Sequence, residues 1–333
     1  MDEPILSVRD LRTEFRTPDY HVRAVDGLSY DLRAGKTVAV VGESGSGKSV
    51  HALSIMGLLA TPPGRVVGGS ILYRGSDLLK MPAEGLRRLR GDRIAMIFQE
   101  PMTSLNPVMR VGEQIAESVL LHKGVPREAA AARAAELLGK VGIPSPEKRA
   151  KDFPHQFSGG MRQRAMIAMA LACNPDILIA DEPTTALDVT IQAQILELMK
   201  SLQAEFKMAM VLITHNIGVV AEMADDVVVM YAGRAVEKAP VHELFKAPKH
   251  PYTRALLGSV PSIYDRKERL STIPGQPPDL GEERVGCPFA PRCAEAVARC
   301  RAADPPAFGL PAGRMSNCWQ VEGEAQTSAA AAA

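Results

Sequence analysis

One short segment of the sequence has the residue types and the spacing that bind phosphate groups. It reads GESGSGKS, from Gly42 to Ser49, and fits the pattern G-x-x-x-x-G-K-S/T at every fixed position. Glycines at these places let consecutive backbone N–H groups turn inward around phosphate oxygens, and the following helix adds the positive end of its dipole. We therefore expect Lys48 to reach the β and γ phosphates of a nucleotide and the Ser49 hydroxyl to ligate Mg²⁺. The alternative is a glycine-rich turn that binds no ligand.

Two adjacent acids, Asp181 and Glu182, follow an apolar run at residues 177–180. The run predicts a buried strand, and parallel sheets bind ligands at the carboxyl ends of their strands, where Asp181 would lie. Asp181 is the candidate second ligand of Mg²⁺, and Glu182 is the candidate general base that polarises water for attack on the γ phosphate. A solvated loop is the alternative for such a pair, but the phosphate-binding pattern elsewhere in the chain favours the catalytic interpretation.

The segment Phe157–Cys173, FSGGMRQRAMIAMALAC, predicts a helix that starts at Ser158-Gly159-Gly160, because its later apolar residues keep helical spacing. A helix start of this kind is a second phosphate-binding feature. With it, the chain resembles the ATP-binding subunits of ABC transporters, whose SGG helix binds the γ phosphate of an ATP molecule held by the opposite subunit. Met161 departs from the glutamine that many members carry after SGG, but the serine and both glycines are intact.

The resemblance extends to further positions. Gln99, in MIFQEP, matches the glutamine that contacts Mg²⁺ and senses the membrane partner. Asp188, in ALD, matches the loop that crosses the dimer interface, and His215, in VLITHN, matches the histidine that contacts the γ phosphate. An aromatic residue early in the family's chains stacks on adenine, and by position Phe15 fits this role better than Tyr20. Packing in the sheet core is the alternative for Phe15.

Together these motifs predict one ATP–Mg²⁺ site and assign each residue a role. The predicted catalytic residues are Glu182, His215 and Gln99, and the predicted Mg²⁺ ligands are Ser49, Gln99 and Asp181. The predicted nucleotide contacts are Phe15, Gly42, Glu43, Ser44, Gly45, Ser46, Gly47, Lys48, Ser49, Val50, Ser158, Gly159, Gly160 and Asp188.

The elements that must position these residues follow an α/β order. A strand-rich start leads through the apolar run at residues 37–41 to the phosphate-binding segment and a helix, and apolar strands return before Asp181 and His215. Residues from about 106 to 168 are helical and alanine-rich in pattern. The resemblance implies an ABC-type P-loop nucleotide-binding domain at residues 1–245, with a RecA-like core, an antiparallel β subdomain and this helical subdomain. No internal repeat is visible, which predicts one cassette rather than a fused pair.

Composition excludes several classes of protein. The 333 residues carry a formal net charge of +1, so no long-range field attracts nucleic acid or an anionic membrane, and we expect no nucleic-acid partner. The start, MDEPILSVRDL, is acidic where a secretory signal would be basic, and no apolar run approaches the ~18 residues of a spanning helix. We therefore expect the protein in the cytosol, a reducing compartment in which disulfides are rare.

The sequence changes character towards its end. Segments such as IPGQPPDLGEERVGCPFAPRC are rich in proline and glycine, which predicts an irregular extension at residues 246–320. The low-complexity ending at residues 321–333, with the run EGEAQTSAAAAA, is predicted to be disordered. HPYTRALL and the cysteine-bearing segment after it resemble the C-terminal extension of ATP-binding subunits for dipeptide and oligopeptide uptake, as do QEPMTSLNP and DEPTTALDVTIQAQIL.

Four of the five cysteines lie in this extension, at Cys287, Cys293, Cys300 and Cys318. They are separated by five, six and seventeen residues, which is wider than the spacing typical of structural zinc sites. Four thiolates in a segment with little apolar surface suit an iron–sulfur cluster that replaces a hydrophobic core, while zinc and unliganded thiols are the alternatives. The resemblance to peptide-importer subunits also implies a 4Fe–4S cluster on these four cysteines.

The resemblance implies a transport ATPase. It would hydrolyse ATP to drive peptide uptake, bound peripherally to the cytoplasmic side of a bacterial inner membrane. The implied partners are a second ATPase subunit, either a copy or a paralogue, that completes an ATP sandwich, two transmembrane permease subunits and a periplasmic solute-binding protein. The alternatives are a soluble ABC ATPase that acts on ribosomes or DNA, and a regulatory iron–sulfur protein that binds ATP without turnover. Families of the soluble kind usually carry two linked cassettes or a long coiled-coil insertion, and this sequence has neither.

Overall fold

The computed structural model describes residues 3–99, 104–185, 187–259, 272–282 and 285–332. Within them the strands are β1 (Leu6–Arg16), β2 (His21–Leu32), β3 (Thr37–Val41), β4 (Gly64–Tyr73), β5 (Ser76–Asp77), β6 (Ile94–Ile97), β7 (Ile177–Asp181), β8 (Ala209–Thr214), β9 (Asp226–Tyr231), β10 (Arg234–Pro240), β11 (Phe308–Leu310) and β12 (Arg314–Ser316). The α-helices are Lys48–Met56, Ala83–Leu89, Val111–Lys123, Arg127–Lys140, Pro146–Arg149, Gly159–Ala170, Val189–Phe206, Ile217–Met223, Val241–Lys246, Pro251–Gly258, Ala298–Ala302 and Glu322–Ala332.

The first of two compact units consists mainly of residues 32–37 and 78–213. Strands β6, β7 and β8 run parallel in it, with Ile94 opposite Ile177 and Asp181 opposite Ile213. Every residue of these strands is buried, and this explains why their sequences are continuous apolar runs rather than alternating ones. Strand β7 ends at Asp181, so that its carboxylate lies at the carboxyl edge that the sequence predicted.

Three helices of this unit contact one another: Val111–Lys123, Arg127–Lys140 and Gly159–Ala170. The first ends at Gly124, whose φ of 62° is the left-handed conformation that glycine adopts without a steric penalty. The second buries the small and branched residues of one face at helical spacing, namely Ala130, Ala134, Leu137 and Leu138. The small alanines allow the neighbouring helices to approach closely.

The second compact unit consists mainly of residues 6–31, 38–77 and 214–333. One of its sheets has the order β2-β1-β4-β5, and both β1 and β5 pair antiparallel with β4. Another group of strands has the order β11-β12-β10-β9-β3, in which β3 and β9 are parallel and the other neighbours are antiparallel. Strand β3 therefore leads into the phosphate loop from a buried position beside β9.

The extension differs from the irregular segment that its composition predicted. Strand β12 pairs with β10, with Ser316 opposite Glu237, and β11 adds one more strand. The tail predicted to be disordered instead forms the helix Glu322–Ala332. Alanine is the best helix former, and Glu324 of this helix forms an ion pair with Lys249. The composition of these segments predicted irregular or disordered chain because they are rich in proline and glycine or in polar and small residues. It could not indicate the pairing of β12 with β10 or the ion pair between Lys249 and Glu324.

An aromatic cluster joins the extension to β9 within the second unit. The rings of Tyr231 and Tyr252 have centroids 4.6 Å apart, and Phe289 lies 5.3 Å from each of them. All three side chains are almost fully buried, and Cys287 and Cys293 pack against the same core. The extension therefore has a hydrophobic core that it shares with β3 and β9.

Across the part of the chain that the structure describes, no helix has both the length and the apolar character needed to cross a membrane.

Candidate functional site

The phosphate loop connects β3 to the helix Lys48–Met56. Two of its glycines lie against backbone atoms. A Cβ on Gly42 would come within 2.1 Å of the carbonyl oxygen of Met230, and one on Gly47 would come within 2.1 Å of that of Ala24. Gly47 also has a φ of 96°, which larger residues rarely adopt. The glycine pattern is therefore required by close packing of the loop as well as by its turn.

The charged and hydroxyl groups of the loop are directed inward. Lys48 is buried, and its Nζ donates hydrogen bonds of 2.8 Å to the carbonyl oxygens of Gly42 and Glu43. The buried Ser46 hydroxyl has no hydrogen-bond partner among the described residues. A buried, unpartnered hydroxyl in a loop that also carries a buried lysine ammonium is suited to an anionic ligand. Ser49 and Val50 follow in the first turn of the helix and are half-buried.

Phe15 and His215, two of the predicted site residues outside the loop, belong to the same compact unit. Phe15 is half-buried in β1, and its ring lies over Gly64 of β4, where a Cβ would be 2.9 Å from Phe15 Cε1. His215 is exposed directly after β8. The next residue, Asn216, caps the helix Ile217–Met223 by accepting a hydrogen bond from Gly218 N.

In the first compact unit, Gln99 contacts the acidic pair Asp181 and Glu182 through Glu182. Asp181 is buried at the end of β7, and Glu182 follows with a φ of 48°. Gln99 Nε2 donates a hydrogen bond of 3.1 Å to Glu182 Oε2, and the Thr185 hydroxyl donates one of 2.9 Å to the same oxygen. The structure therefore places Gln99 and Glu182 in direct contact, although 83 residues separate them in the sequence.

The Ser158-Gly159-Gly160 segment begins the helix Gly159–Ala170, as its sequence predicted. The Ser158 hydroxyl accepts a hydrogen bond of 3.3 Å from Met161 N, which satisfies one of the free N–H groups at the helix start. Ser158 and Gly159 are exposed, and a Cβ on Gly159 would meet no atom within 4 Å. This helix start is therefore accessible to a ligand from outside the chain. Asp188 is also exposed, at the start of the helix Val189–Phe206. Ala186, which precedes it in the ALD motif, lies outside the described residues.

Sequence reasoning missed several residues that support the site. Gln163 is buried in the Gly159–Ala170 helix, and its Nε2 donates to the carbonyl oxygen of Pro183, the residue after Glu182. Thr185 was not singled out either, although a hydroxyl three residues after the predicted general base could have suggested it. In the extension, Tyr252 and Arg292 contact Glu43 of the phosphate loop. Tyr252 lies in the segment HPYTRALL, whose sequence indicated only a resemblance to peptide-uptake subunits.

The four cysteines of the extension, Cys287, Cys293, Cys300 and Cys318, line one pocket together with Phe289 and Trp319. Burial raises the pKa of the Cys287 thiol to about 11 and also raises the pKa of Cys293 and Cys318. The fit to a metal is mixed. The donor set suits a thiophilic metal, but no three His, Cys, Asp or Glu residues among those described are placed to hold a single ion.

Comparison with known proteins defines the class. Residues 25–185 match the family model of ABC transporters, and residues 236–300 match the model named oligopeptide/dipeptide transporter, C-terminal region. A solved dimeric ATP-binding cassette, bound to ADP and Pi after hydrolysis, resembles this chain with a TM-score of 0.63 and 26% identity. The likeness covers 71% of this chain and 98% of that one. The fold and its motifs thus define an ATP-binding cassette.

Relatives over the full length narrow the class to a family. The oligopeptide transport ATP-binding protein OppD of Salmonella typhimurium is 51% identical over 316 residues, which cover 95% of this chain and 93% of that protein. OppD of Escherichia coli is 50% identical over 318 residues, which cover 96% and 94%. The chain belongs to the family of ATP-binding proteins of oligopeptide and dipeptide ABC transporters.

Proposed function

We propose that this chain hydrolyses ATP to drive the uptake of peptides, or of related small solutes, across a bacterial inner membrane. The observation that carries the proposal is the presence of two family segments in one chain: the ABC transporter segment at residues 25–185 and the peptide-transporter C-terminal region at residues 236–300. The first supplies nucleotide chemistry, and the second is particular to the peptide branch. The proposed domains are the cassette at residues 1–245 and the extension at residues 246–320.

The phosphate loop binds the triphosphate in this proposal. Lys48 neutralises charge on the β and γ phosphates, and the inward N–H groups of the loop bind phosphate oxygens. The further nucleotide contacts are Phe15, Val50, His215 and Asp188. The unpartnered Ser46 hydroxyl supports this assignment, because a phosphate oxygen would satisfy it.

Mg²⁺ would be held by the Ser49 hydroxyl, the Asp181 carboxylate and the Gln99 amide oxygen, and would neutralise charge on the phosphates. Glu182 accepts a proton from the attacking water, and the two hydrogen bonds to its Oε2 orient its carboxylate. Ser158, Gly159 and Gly160 bind the γ phosphate of a nucleotide held by a second subunit. The exposure of Ser158 and Gly159 supports a role between subunits.

The proposed assembly contains several further chains besides this one. A second ATPase subunit, either a copy of this chain or a paralogue, completes two composite nucleotide sites. Two permease subunits span the membrane, and a periplasmic protein binds the solute and delivers it. This chain is then a peripheral protein on the cytoplasmic face. The dimeric state of the solved cassette supports the pairing of subunits.

A 4Fe–4S cluster is the proposed occupant of the cysteine pocket, with zinc as the alternative. The convergence of all four cysteines on one pocket supports a shared ligand. A single zinc ion must contact every sulfur at ~2.3 Å, whereas a 4Fe–4S cluster gives each cysteine its own iron. The two alternatives therefore require different separations between the four sulfur atoms. Anaerobic purification with iron and acid-labile sulfide analysis tests this, and a colourless protein with stoichiometric zinc would refute it.

The test of the main function is reconstitution. The chain would be purified with its permease subunits and partner ATPase in lipid vesicles, and ATP-dependent accumulation of labelled peptides would be measured with Glu182→Gln as the inactive control. We expect peptide uptake that requires ATP, the binding protein and Glu182. Failure to associate with permeases, combined with ATPase activity stimulated by ribosomes or DNA, would favour the soluble alternative instead. ATP binding without any turnover would favour the alternative of a regulatory iron–sulfur protein.

A further inference from the structure

Two residues of the C-terminal extension contact the phosphate loop at one residue, Glu43. The Tyr252 hydroxyl accepts a hydrogen bond of 2.9 Å from Glu43 N. The Arg292 guanidinium donates through Nη1 to Glu43 Oε2 at 2.6 Å and through Nη2 to Oε1 at 3.0 Å. These residues lie 209 and 249 positions after Glu43, and all three belong to the second compact unit. The extension therefore holds both the backbone and the side chain of the second residue of the loop.

Glu43 in turn is connected to the lysine of the loop. Its carbonyl oxygen accepts a hydrogen bond of 2.8 Å from Lys48 Nζ and one of 3.2 Å from Ser46 N. Because Glu43 is hydrogen-bonded through its N–H, its carbonyl and its carboxylate, its position affects the groups on both sides of it. Movement of Glu43 would shift the backbone from which Lys48 and the loop N–H groups reach a phosphate.

Tyr252 is firmly placed, and the HPY sequence explains how. His250 Nδ1 accepts a hydrogen bond of 3.1 Å from Tyr252 N, and Pro251 occupies the first position of the helix Pro251–Gly258, where a missing N–H has no cost. Burial lowers the pKa of His250 to about 3, which keeps Nδ1 free to accept at neutral pH. The Tyr252 ring packs in the aromatic cluster with Tyr231 and Phe289. The three residues of HPY thus fix the direction of one hydroxyl.

Arg292 is fixed as well. Its side chain is 5% exposed, and besides Glu43 it donates to the carbonyl oxygen of Pro274 at 2.9 Å and to the hydroxyl of Tyr231 at 3.2 Å. A planar guanidinium that meets a carboxylate at two points sets both distance and orientation, which a lysine cannot do. Arg292 directly precedes Cys293, so the segment that carries the cysteines also carries this contact.

We propose that Tyr252 and Arg292 are positioning residues of the nucleotide site, which hold Glu43 so that the phosphate loop keeps its nucleotide-binding conformation. The inference rests on the proposed ATPase function and deepens it, because it makes the extension part of the nucleotide site. Without the contacts of Tyr252 and Arg292 with Glu43, the phosphate loop would become ordered only when the nucleotide binds. The free energy of that ordering would then be subtracted from the free energy of nucleotide binding. Since the loop binds the phosphates before and during reaction, its loss of order weakens affinity more than turnover.

The experiment compares Tyr252→Phe and Arg292→Met with Arg299→Met in the full-length chain. Arg299 of the same extension forms an ion pair with Glu322 and stacks on Trp319. It makes no hydrogen bond or ion pair with Glu43 in the part of the chain that the structure describes, and it serves as the control. The dissociation constant of a fluorescent ATP analogue, KM for ATP and kcat are measured for each. We expect about 10-fold weaker nucleotide binding in the first two variants, with a smaller change in kcat, and a change below about twofold in the control.

A second measurement separates positioning from general support of the fold. If Arg292 acts through Glu43, Arg292→Met should weaken binding in the wild-type background but add nothing in a Glu43→Ala background. A merely structural role would weaken binding equally in both backgrounds and would overturn the proposal for Arg292. Arg292→Lys should show an intermediate affinity, because it keeps the charge but loses the two-point contact.

Other outcomes are also decisive. If Tyr252→Phe or Arg292→Met binds the nucleotide as tightly as the wild type, that residue does not position the phosphate loop. If Arg292→Met does not fold, Tyr252→Phe decides, because it removes a single oxygen atom and leaves the ring packing in place. Failure of the wild-type chain to bind ATP would refute the proposed function, whereas normal wild-type binding with unaffected variants refutes only this inference.

Discussion

Gln99 donates a hydrogen bond of 3.1 Å from its side-chain amide to Oε2 of Glu182, and the Thr185 hydroxyl donates one of 2.9 Å to the same oxygen. The backbone of Glu182 has a φ of 48°, which costs a non-glycine residue of the order of 1–3 kcal/mol. Two donors and a constrained backbone therefore fix the direction of this carboxylate. Such arrangements are typical of functional sites, where a strained residue is held by its surroundings.

Glu182→Gln should abolish most ATP hydrolysis and leave ATP binding nearly intact. An amide cannot accept the proton of the attacking water, so we expect turnover to fall by roughly 10²-fold or more. The measurements are phosphate release and nucleotide affinity. Thr185→Val is a useful comparison, because it removes one orienting hydrogen bond but keeps the carboxylate, and it should slow turnover much less. Hydrolysis at the wild-type rate by Glu182→Gln would show that Glu182 is not the base.

Mixing two inactive subunits should restore activity if the SGG helix acts on the partner's nucleotide. A Lys48→Ala chain lacks the phosphate-binding lysine, and a Ser158→Arg chain blocks the helix start that the structure exposes. If the two chains pair, one composite site carries both changes and the other carries neither. We expect ATPase activity in the mixture and little in either chain alone. No rescue despite demonstrated pairing would exclude action between subunits.

Ser158→Arg also removes a helix cap, and this needs its own control. The Ser158 hydroxyl accepts from Met161 N, and the loss of such a cap costs about 1 kcal/mol. Ser158→Ala removes the cap without adding bulk or charge. Equal thermal stability of the two variants, with ATPase activity lost only in Ser158→Arg, would separate blockage from unfolding.

Stability should fall in mild acid because of His51, on the helix that follows the phosphate loop. Burial lowers the pKa of His51 from 6.5 to about 4. Its Nδ1 lies 3.0 Å from the Lys48 carbonyl oxygen and carries the proton, so Nε2 accepts from the Tyr30 hydroxyl at 2.6 Å. Neutral His51 therefore suits the folded state, while the unfolded chain gains a proton as the pH falls below 6.5.

The contribution of His51 to stability is complete above pH 6.5 and is lost as the pH falls towards 4, by about 3 kcal/mol over the window. Urea unfolding at pH 7, 6 and 5 measures this loss. The stability of His51→Gln should depend less on pH over this range than that of the wild type. An identical pH dependence in both proteins would contradict the assignment.

Glu237 should be among the most costly side chains to remove from the second unit. Its side chain is 1% exposed and accepts hydrogen bonds of 2.8 Å from Lys249 N and of 2.7 Å from His250 N. It also lies 3.7 Å from the guanidinium of Arg314. Glu237→Ala leaves this buried guanidinium without one of its partners, and we expect a loss of about 3–5 kcal/mol in the free energy of unfolding. Urea unfolding at neutral pH measures the loss.

Glu243→Ala is the matched control for Glu237. Glu243 also pairs with Arg314, at 3.2 Å, but its side chain is 42% exposed, so water replaces the lost contact. We expect a change of about 1 kcal/mol or less. Equal losses in the two variants would show that the burial of Glu237 does not determine its contribution.

Residue type and local spacing were sufficient to predict where the local features of the candidate site lie. The glycine and lysine pattern at Gly42–Ser49, the acids after β7 and the helix start at Ser158 could all be read in this way. These features are local, because a phosphate loop or a helix cap is formed by neighbours along the chain. The same holds for the buried parallel strands, whose apolar runs reveal them.

Which distant residues meet depends on the tertiary fold. Contacts between Gln99 and Glu182, or between Arg292 and Glu43, join positions 83 and 249 residues apart, and no local pattern specifies such pairings. The same reason explains the differences between prediction and structure in the extension and in the tail. The proline and glycine content of residues 246–320 predicted irregular chain, but β12 gains backbone hydrogen bonds from β10. The low-complexity ending at residues 321–333 was predicted to be disordered, but it forms a helix in which Glu324 pairs with Lys249. These stabilising partners come from elsewhere in the fold, so composition could not reveal them.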